Sequence, residues 1–192
     1  RLHKLPQVIM KTTTLYSVLL KWAGFCCLFL LFGQCQPARP SLQAYRLNKS
    51  AHLNEEQLRA ELVNYARSFI GCKYKRAGKD KSGFDCSGFV TFVCNPFKIS
   101  MAASAHEQAF NIPGIQAEEA MKGDLVFFSN QNKIVHVGII TESKKDRLML
   151  IHSTSSRGVI EENILKSDYW VRRMNKICSL NNYLRQTAVS LK

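Results

Sequence analysis

From Gly123 onward, three apolar runs follow one another at short spacing: Asp124–Phe128, Val135–Thr141 and Arg147–Thr154, each rich in Val, Ile, Leu or Phe. Runs of this length and β-branched content predict strands, and Trp170–Met174 predicts a fourth. The charged connection Glu142–Asp146 is too short for a crossover helix and predicts a hairpin. The segments with helical spacing all lie before Gly123. Helices first and strands afterwards predict an α+β domain, N-terminal helices packed on a small antiparallel sheet, rather than alternating βαβ units.

The first helix is predicted to start at Asn54. Asn54 caps it, Gln57 completes a capping box, and Leu53 with Leu58 forms a hydrophobic staple. Leu58, Leu62, Tyr65, Ala66 and Phe69 mark its apolar face, and Gly71 ends it. A Lys- and Gly-rich loop, CKYKRAGKDKSG, comes next. Phe84–Val93 is almost entirely apolar and predicts a buried helix with Asp85 near its cap, stopped by Asn95-Pro96. A shorter helix is expected over Ser104–Phe110, with Ser104 and Glu107 as a second capping box.

The N-terminus reads differently. Residues 22–33, WAGFCCLFLLFG, form an apolar stretch of signal-peptide length, short of the ~18 residues a spanning helix needs. Met10 is read as the start of a signal over residues 10–35, with 1–9 as upstream leader, 36–53 as a basic tether, 54–180 as the folded domain and 181–192 as a tail. Cys35, just after the apolar run, resembles the lipidated cysteine of a bacterial lipoprotein signal. Gln34 stands where such signals carry a small residue, so the alternative is ordinary cleavage a few residues later to a free soluble protein. The expected location is the periplasm or the outer membrane, in the lipoprotein case with attachment through a lipid on Cys35. Four of the 27 Lys/Arg and none of the 14 Asp/Glu precede Gln36, which leaves the remainder at a net charge of +9. Such a charge favours anionic partners. For an exported protein that means wall polymer or a lipid surface, not nucleic acid. A generally basic, solvated surface accounts equally well for the scatter of the charges.

Two of the five histidines occupy predicted strands. If Ser143–Lys145 form a three-residue hairpin loop, His136 stands directly opposite His152 on one face, Cβ atoms ~4.5–5.5 Å apart. A slip of one residue would separate them. Either histidine alone reads as a hydrogen-bonded core residue; two facing each other indicate a site. A zinc pair is the rival functional reading, and it lacks a third ligand unless Cys86 or Asp85 supplies one. No CxxC pairing supports a zinc site. Among the other cysteines of the domain, a Cys72–Cys178 disulfide is one pairing that the spacing leaves open.

Cys86 lies at the predicted start of the second helix, in GFDCSGFV. A helix N-terminus and a neighbouring imidazolium both favour the thiolate. Cys86 as nucleophile, His136 as base and His152 as the group orienting that base make a generalised triad. The Cys86 backbone N–H is a candidate oxyanion donor. Cys94, further along the same helix, reads as a buried thiol.

GCKYKRAGKDKSGFDCSGFV, GDLVFF, HVGII and IHST, in this order, resemble the motifs of the NlpC/P60 family of cell-wall cysteine peptidases, over most of residues 57–175. The resemblance implies a papain-like α+β fold with Cys86 as nucleophile, His136 as general base and His152 as the third polar residue. It further implies an assisting role for Tyr74 and a substrate-binding role, through the free amine, for Asp85 and Ser87. It implies a cysteine endopeptidase that cleaves peptidoglycan stem peptides at the γ-D-glutamyl–diamino acid bond, as a monomer, with no metal or other cofactor. The bland readings are a helix cap for Asp85 and a packed aromatic for Tyr74. His106 reads as an exposed helix residue. The alternatives are a related papain-like amidase or acyltransferase acting on another acyl group, and a wall-binding module without catalysis; the intact Cys86, His136 and His152 argue against the latter.

Overall fold

The computed structural model describes residues 55–110 and 112–190, with side chains through Thr187. The expected leader, signal, Cys35 and tether, with the Asn54 cap and Leu53 staple, lie outside the described residues. Helix α1 spans Glu55–Arg67. Its buried face carries Leu62, Val63, Tyr65 and Ala66, as the apolar spacing requires, and also Arg59, which that spacing does not reveal. Gly71 follows in the left-handed region, φ +88°, where glycine has no Cβ to clash.

The Lys- and Gly-rich segment is not a plain loop. It holds a two-stranded hairpin, β1 (Lys79–Asp80) and β2 (Gly83–Phe84). Phe84 therefore ends a strand instead of opening the helix. Helix α2 runs Cys86–Cys94 and passes directly into a 3-10 turn over Asn95–Phe97. Its Phe89, Val90, Val93 and Cys94 are wholly buried. Phe84 meets Phe69 edge-on at 5.8 Å and Phe89 at 5.6 Å, so the β2 end, α1 and α2 share one aromatic core. Helix α3 (Ala105–Ala109) forms with the expected capping box of Ser104 and Glu107.

Among the described residues the sheet has five strands in the order β6-β5-β4-β3-β7: β3 (Leu125–Asn130), β4 (Lys133–Lys144), β5 (Arg147–Thr154), β6 (Gly158–Asn163) and β7 (Met174–Cys178). Each neighbouring pair is antiparallel. The α+β class is as expected. One face of the sheet contributes Leu125, Phe127, Val137, Ile139, Ile151 and Val159 to the core beneath the helices. The other carries Val126, Phe128, Ile140 and Leu150 in a second, smaller cluster with Ile164 and Ile177.

Several expectations are corrected. Trp170–Met174 is not a strand: Trp170 sits in the short helix α4 (Asp168–Val171), and β7 starts only at Met174. Of the expected tail, residues 181–190 are helical, because α5 spans Leu180–Ser190 and buries Leu180 and Tyr183. The hairpin loop is also shorter than expected. Lys144 pairs with Arg147, so the turn is Lys145–Asp146. A Cys72–Cys178 bridge is not made either, since Cys178 is a free thiol, like Cys86 and Cys94.

A buried ion pair ties the ends of the domain together. Arg59 Nη1 donates to Asp124 Oδ1 at 2.6 Å and to the Lys122 carbonyl at 2.9 Å. Asp124 Oδ1 also accepts from the Leu180 N–H at 2.9 Å, and Oδ2 from the Met121 N–H. Arg59 and Asp124 are 2 % and 0 % exposed, so neither has water to fall back on. Asp124→Ala is expected to cost about 3–5 kcal/mol, the penalty of stranding a buried charge. Urea denaturation of the variant measures it; a loss below about 1 kcal/mol, the range of an exposed pair, would show that Arg59 is not held by this contact.

Candidate active site

Asp85 sets the position of Cys86. Its backbone is extended (φ −85°, ψ 178°), and its Oδ1 accepts the Gly88 N–H at 2.6 Å. This satisfies one of the free donors of the first helical turn and starts α2 at Cys86. Gly88 allows the segment leading into β1 to lie against that turn: a Cβ at Gly88 would meet the Gly78 carbonyl oxygen at 2.1 Å. Asp85 N–H donates to the same carbonyl at 3.0 Å.

Cys86 Sγ lies 3.9 Å from the Val135 carbonyl oxygen, so the tip of α2 abuts β4 beside His136. Burial pushes the thiol pKa up, and the Asp85 carboxylate pushes it further; backbone N–H groups of Ser87, Val137 and Cys86 pull the other way without prevailing. The helix N-terminus thus supplies the expected donors, but it does not by itself hold a thiolate.

His136 and His152 meet, though not through the register that the sequence implied. At the turn, Ser143 pairs with Leu148 and Glu142 with Met149; beyond Thr141, Ile140 pairs with Leu150 and Ile139 with Ile151. Had the register of the turn continued, His136 and His152 would lie on opposite faces. Thr141 is the extra residue of a β-bulge and restores the parity. Gly138, not His136, then lies level with His152: a Cβ there would come within 2.9 Å of His152 Cβ and 2.7 Å of Leu150. The missing side chain leaves room for the two rings to approach diagonally. His136 Nε2 is 2.9 Å from His152 Nδ1.

The pair continues to a residue that the sequence reading missed. His152 Nε2 is 3.0 Å from Glu162 Oε1. Arg157 Nη2 donates to both Glu162 oxygens at 2.8 and 2.9 Å, and Trp170 Nε1 donates to Oε1 at 2.9 Å. The Trp170 indole stacks on the His136 ring, centroids 4.8 Å apart at 24°. Signals for these residues existed. The TSSRG turn after β5, followed by Val159-Ile160, marks a second hairpin, and period 2 along it puts Glu162 on the His152 face. Trp170 had no such signal, because α4 reads as strand.

Burial lowers both imidazole pKa values. His136 falls to about 3, with His152 adding to the effect. His152 falls to about 4 against the upward pull of Glu162. At neutral pH both rings are uncharged, and His136 is a proton acceptor in waiting.

Cys86 and His136 line an open cleft of about 430 Å³ together with Tyr74, Ser155, Arg157 and Trp170. Tyr74 has its hydroxyl pKa raised by burial and by the nearby Cys86 and Asp85, so it is a donor here. Asp85 and Ser87 are not among the cleft's lining residues. Ser87 is buried, its hydroxyl 3.2 Å from both the Ala103 carbonyl oxygen and Asp85 Oδ1. His106 is exposed on α3, its ring near Phe110. No group of three His, Cys, Asp or Glu side chains among the described residues is arranged to hold a metal ion.

Residues 71–179 match the family model described as the NlpC/P60 family. The probable endopeptidase NlpC homolog of Haemophilus influenzae is 32 % identical over 128 residues, covering 66 % of this chain and 64 % of that protein. The gamma-DL-glutamyl hydrolase of Bacillus subtilis is 31 % identical over 122 residues, 62 % of this chain and 30 % of the hydrolase. The chain thus spans less than two thirds of the length of either relative. The crystal structure of the NlpC/p60 domain of the peptidoglycan hydrolase SagA matches with a TM-score of 0.53 at 27 % identity, covering 63 % of this chain and 97 % of that one.

The three free thiols among the described residues differ in environment, which makes their labelling a test of the site. Cys94 is wholly buried and pushed up to about 12, and Cys178 is buried too. Iodoacetamide on the folded protein is expected to label Cys86 first among the three, at a rate that climbs with pH through a midpoint above the ~8.5 of a free thiol. Peptide mapping by mass spectrometry identifies the site; equal labelling of Cys94 would refute the assigned geometry.

Proposed function

The chain belongs to the NlpC/P60 family, and we propose that it is an exported cysteine endopeptidase of peptidoglycan stem peptides. The observation that carries the reading is the placement of an accessible thiol at a helix tip, in one cleft with a neutral histidine whose far nitrogen is held by a second histidine. An arrangement of this kind serves acyl transfer.

In the proposed reaction, His136 takes the Cys86 proton as the sulfur attacks the scissile carbonyl. Because the resting thiol and imidazole are both neutral, proton transfer accompanies attack instead of preceding it. The Cys86 backbone N–H stabilises the oxyanion and Tyr74 assists as a neutral donor. His136 then protonates the leaving amine, and the acyl-enzyme forms. Water, activated by the same ring, releases the acid. His152 holds the His136 ring in place throughout. No step calls for a metal.

The bond proposed is that between γ-D-glutamate and a diamino acid. It is supported by the γ-glutamyl activity in the name of the Bacillus relative, and by the likeness to SagA, which is named as a peptidoglycan hydrolase. Asp85 and Ser87 are proposed to bind the substrate's free amine, alongside the capping role of Asp85, although neither lines the cleft. Lipidation of Cys35 and attachment to a membrane belong to the same proposal, as do the division of the N-terminus into signal and tether and action as a monomer.

Cys86→Ala is expected to abolish digestion of purified peptidoglycan while leaving the circular dichroism spectrum unchanged; retained digestion would sink the nucleophile assignment. Mass spectrometry of the wild-type fragments names the bond cut, and a cut elsewhere than after γ-D-glutamate overturns the specificity. The pH profile carries a further expectation. His136 must be neutral to act as base, and burial keeps it neutral far below the usual histidine range. The acid limb of kcat/KM should therefore fall well below the ~6.5 of a free imidazole. A limb at or above that value would show that His136 is not the base.

A further inference from the structure

A pair of hydrogen-bonded neutral histidines has two self-consistent proton arrangements. In one, His152 carries its proton on Nε2, its bare Nδ1 accepts from His136 Nε2–H, and the Nδ1 lone pair of His136 is free. In the other, His152 Nδ1–H donates to a bare His136 Nε2. The His136 proton then sits on Nδ1, and the ring cannot accept from a thiol. Only the first arrangement gives a base, and the two rings alone do not choose between them.

Glu162 chooses. Its Oε1 is 3.0 Å from His152 Nε2, and a carboxylate can only accept there. It is kept ionised. Burial opposes its charge, but hydrogen bonds from Arg157 and Trp170 and the neighbouring cation hold its pKa below the ordinary carboxylate value. It is also kept in place: Arg157 grips both oxygens, and the Trp170 N–H grips the same Oε1 that faces His152. Trp170 in turn packs flat on His136, so one side chain braces the carboxylate and the distal ring together.

We propose that Glu162 is a positioning residue, one that fixes the tautomers of both histidines so that the His136 Nδ1 lone pair is the one left for the Cys86 thiol. The proposal rests on the thiol-hydrolase reading for its consequence, but not for its geometry. When the S–H bond breaks and the Nδ1–H bond forms, His136 becomes an imidazolium, and the Glu162 carboxylate, acting through His152, offsets the new charge. The charged or titratable groups acting on His152 are His136 from β4, Arg157 from the β5–β6 turn and Glu162 from β6. Arg157 opposes a charge on His152 and Glu162 favours it. Removing one or the other should thus move the imidazoles in opposite directions.

The test is ¹⁵N NMR of the histidine rings in the full chain, wild type, Glu162→Gln and Arg157→Gln, beside Cys86 alkylation and peptidoglycan digestion across pH. The wild type should show His152 protonated at Nε2 and His136 at Nε2. Glu162→Gln should bring mixed tautomers, a kcat about tenfold or more lower with KM little changed, and an acid limb moved to lower pH. Arg157→Gln should move the same limb to higher pH. Unchanged ring shifts in Glu162→Gln, or movement of both variants in the same direction, would overturn the proposal. Should Glu162→Gln not fold, the Arg157→Gln shift alone decides, with no movement counting against it. If wild-type protein digests no peptidoglycan, the thiol-hydrolase reading fails, while the ring shifts still decide the role of Glu162.

Discussion

Strand β4 pairs with β5 in two registers that change over at Thr141, and this single extra residue sets the face on which everything beyond it lies. Side chains alternate strictly along a strand, so an odd offset puts two residues on opposite faces and an even one brings them together. The two-residue turn at Lys145–Asp146 imposes an odd sum, and the bulge converts it to an even one. His136, Gly138, Leu150 and His152 thereby share a face, and β6, in unbroken register with β5, adds Glu162 to it. The line from His136 through His152 to Glu162 is a product of strand parity before it is a product of hydrogen bonding. Thr141 is itself buried, its hydroxyl donating to Glu161, so the bulge is fastened to β6 rather than left loose.

The other half of the site comes from the helical side. Asp85 caps α2, Gly88 lets the Gly78 carbonyl press on its first turn, and Ser153 Oγ donates to the Phe84 carbonyl at 2.8 Å. That last bond joins β5 to the residue just before the cap. The tip of α2 and the strand of His152 are therefore linked through one buried hydroxyl, while the aromatic core of Phe69, Phe84 and Phe89 holds the hairpin, α1 and α2 together. The Arg59–Asp124 pair does the corresponding work at the start of β3, where α1, the approach to the sheet and α5 converge on one carboxylate. Rigid elements on both sides hold in place a thiol and an imidazole that come from different layers.

The electrostatics of the cleft favour a neutral resting state. Burial outweighs the N–H donors at the tip of α2 for Cys86, and it outweighs Glu162 for His152. A helix N-terminus stabilises an anion by partial charges only, whereas removal from water penalises the whole charge. Under the proposed chemistry, charge then appears only when the proton moves, in a cleft already furnished with donors for sulfur and oxygen and an acceptor for the imidazolium.

Much of this is legible in the chain. The apolar spacing of α1, the caps at Asp85 and Ser104, and the strands around His136 and His152 all follow from local rules of period and hydrogen bonding. The hairpin within the Lys-rich segment, β6 and α5 carry weaker periodic signals, and the pattern around Trp170 points to the wrong kind of element. Arg59 looks like a surface residue, because its reason for burial, Asp124, lies 65 positions away. The meeting of the histidines follows from the sequence only by way of a register that does not form, and no local rule reports a bulge, since it answers to pairing on both sides of a strand. The sequence by itself determined which groups were available and which faces they would prefer, because propensity and alternation act over a few residues. The tertiary structure alone decided that Thr141 would restore the parity, that Glu162 would close the line behind His152, and that burial would leave the thiol and both imidazoles uncharged, because each of these depends on what packs across from a residue rather than beside it.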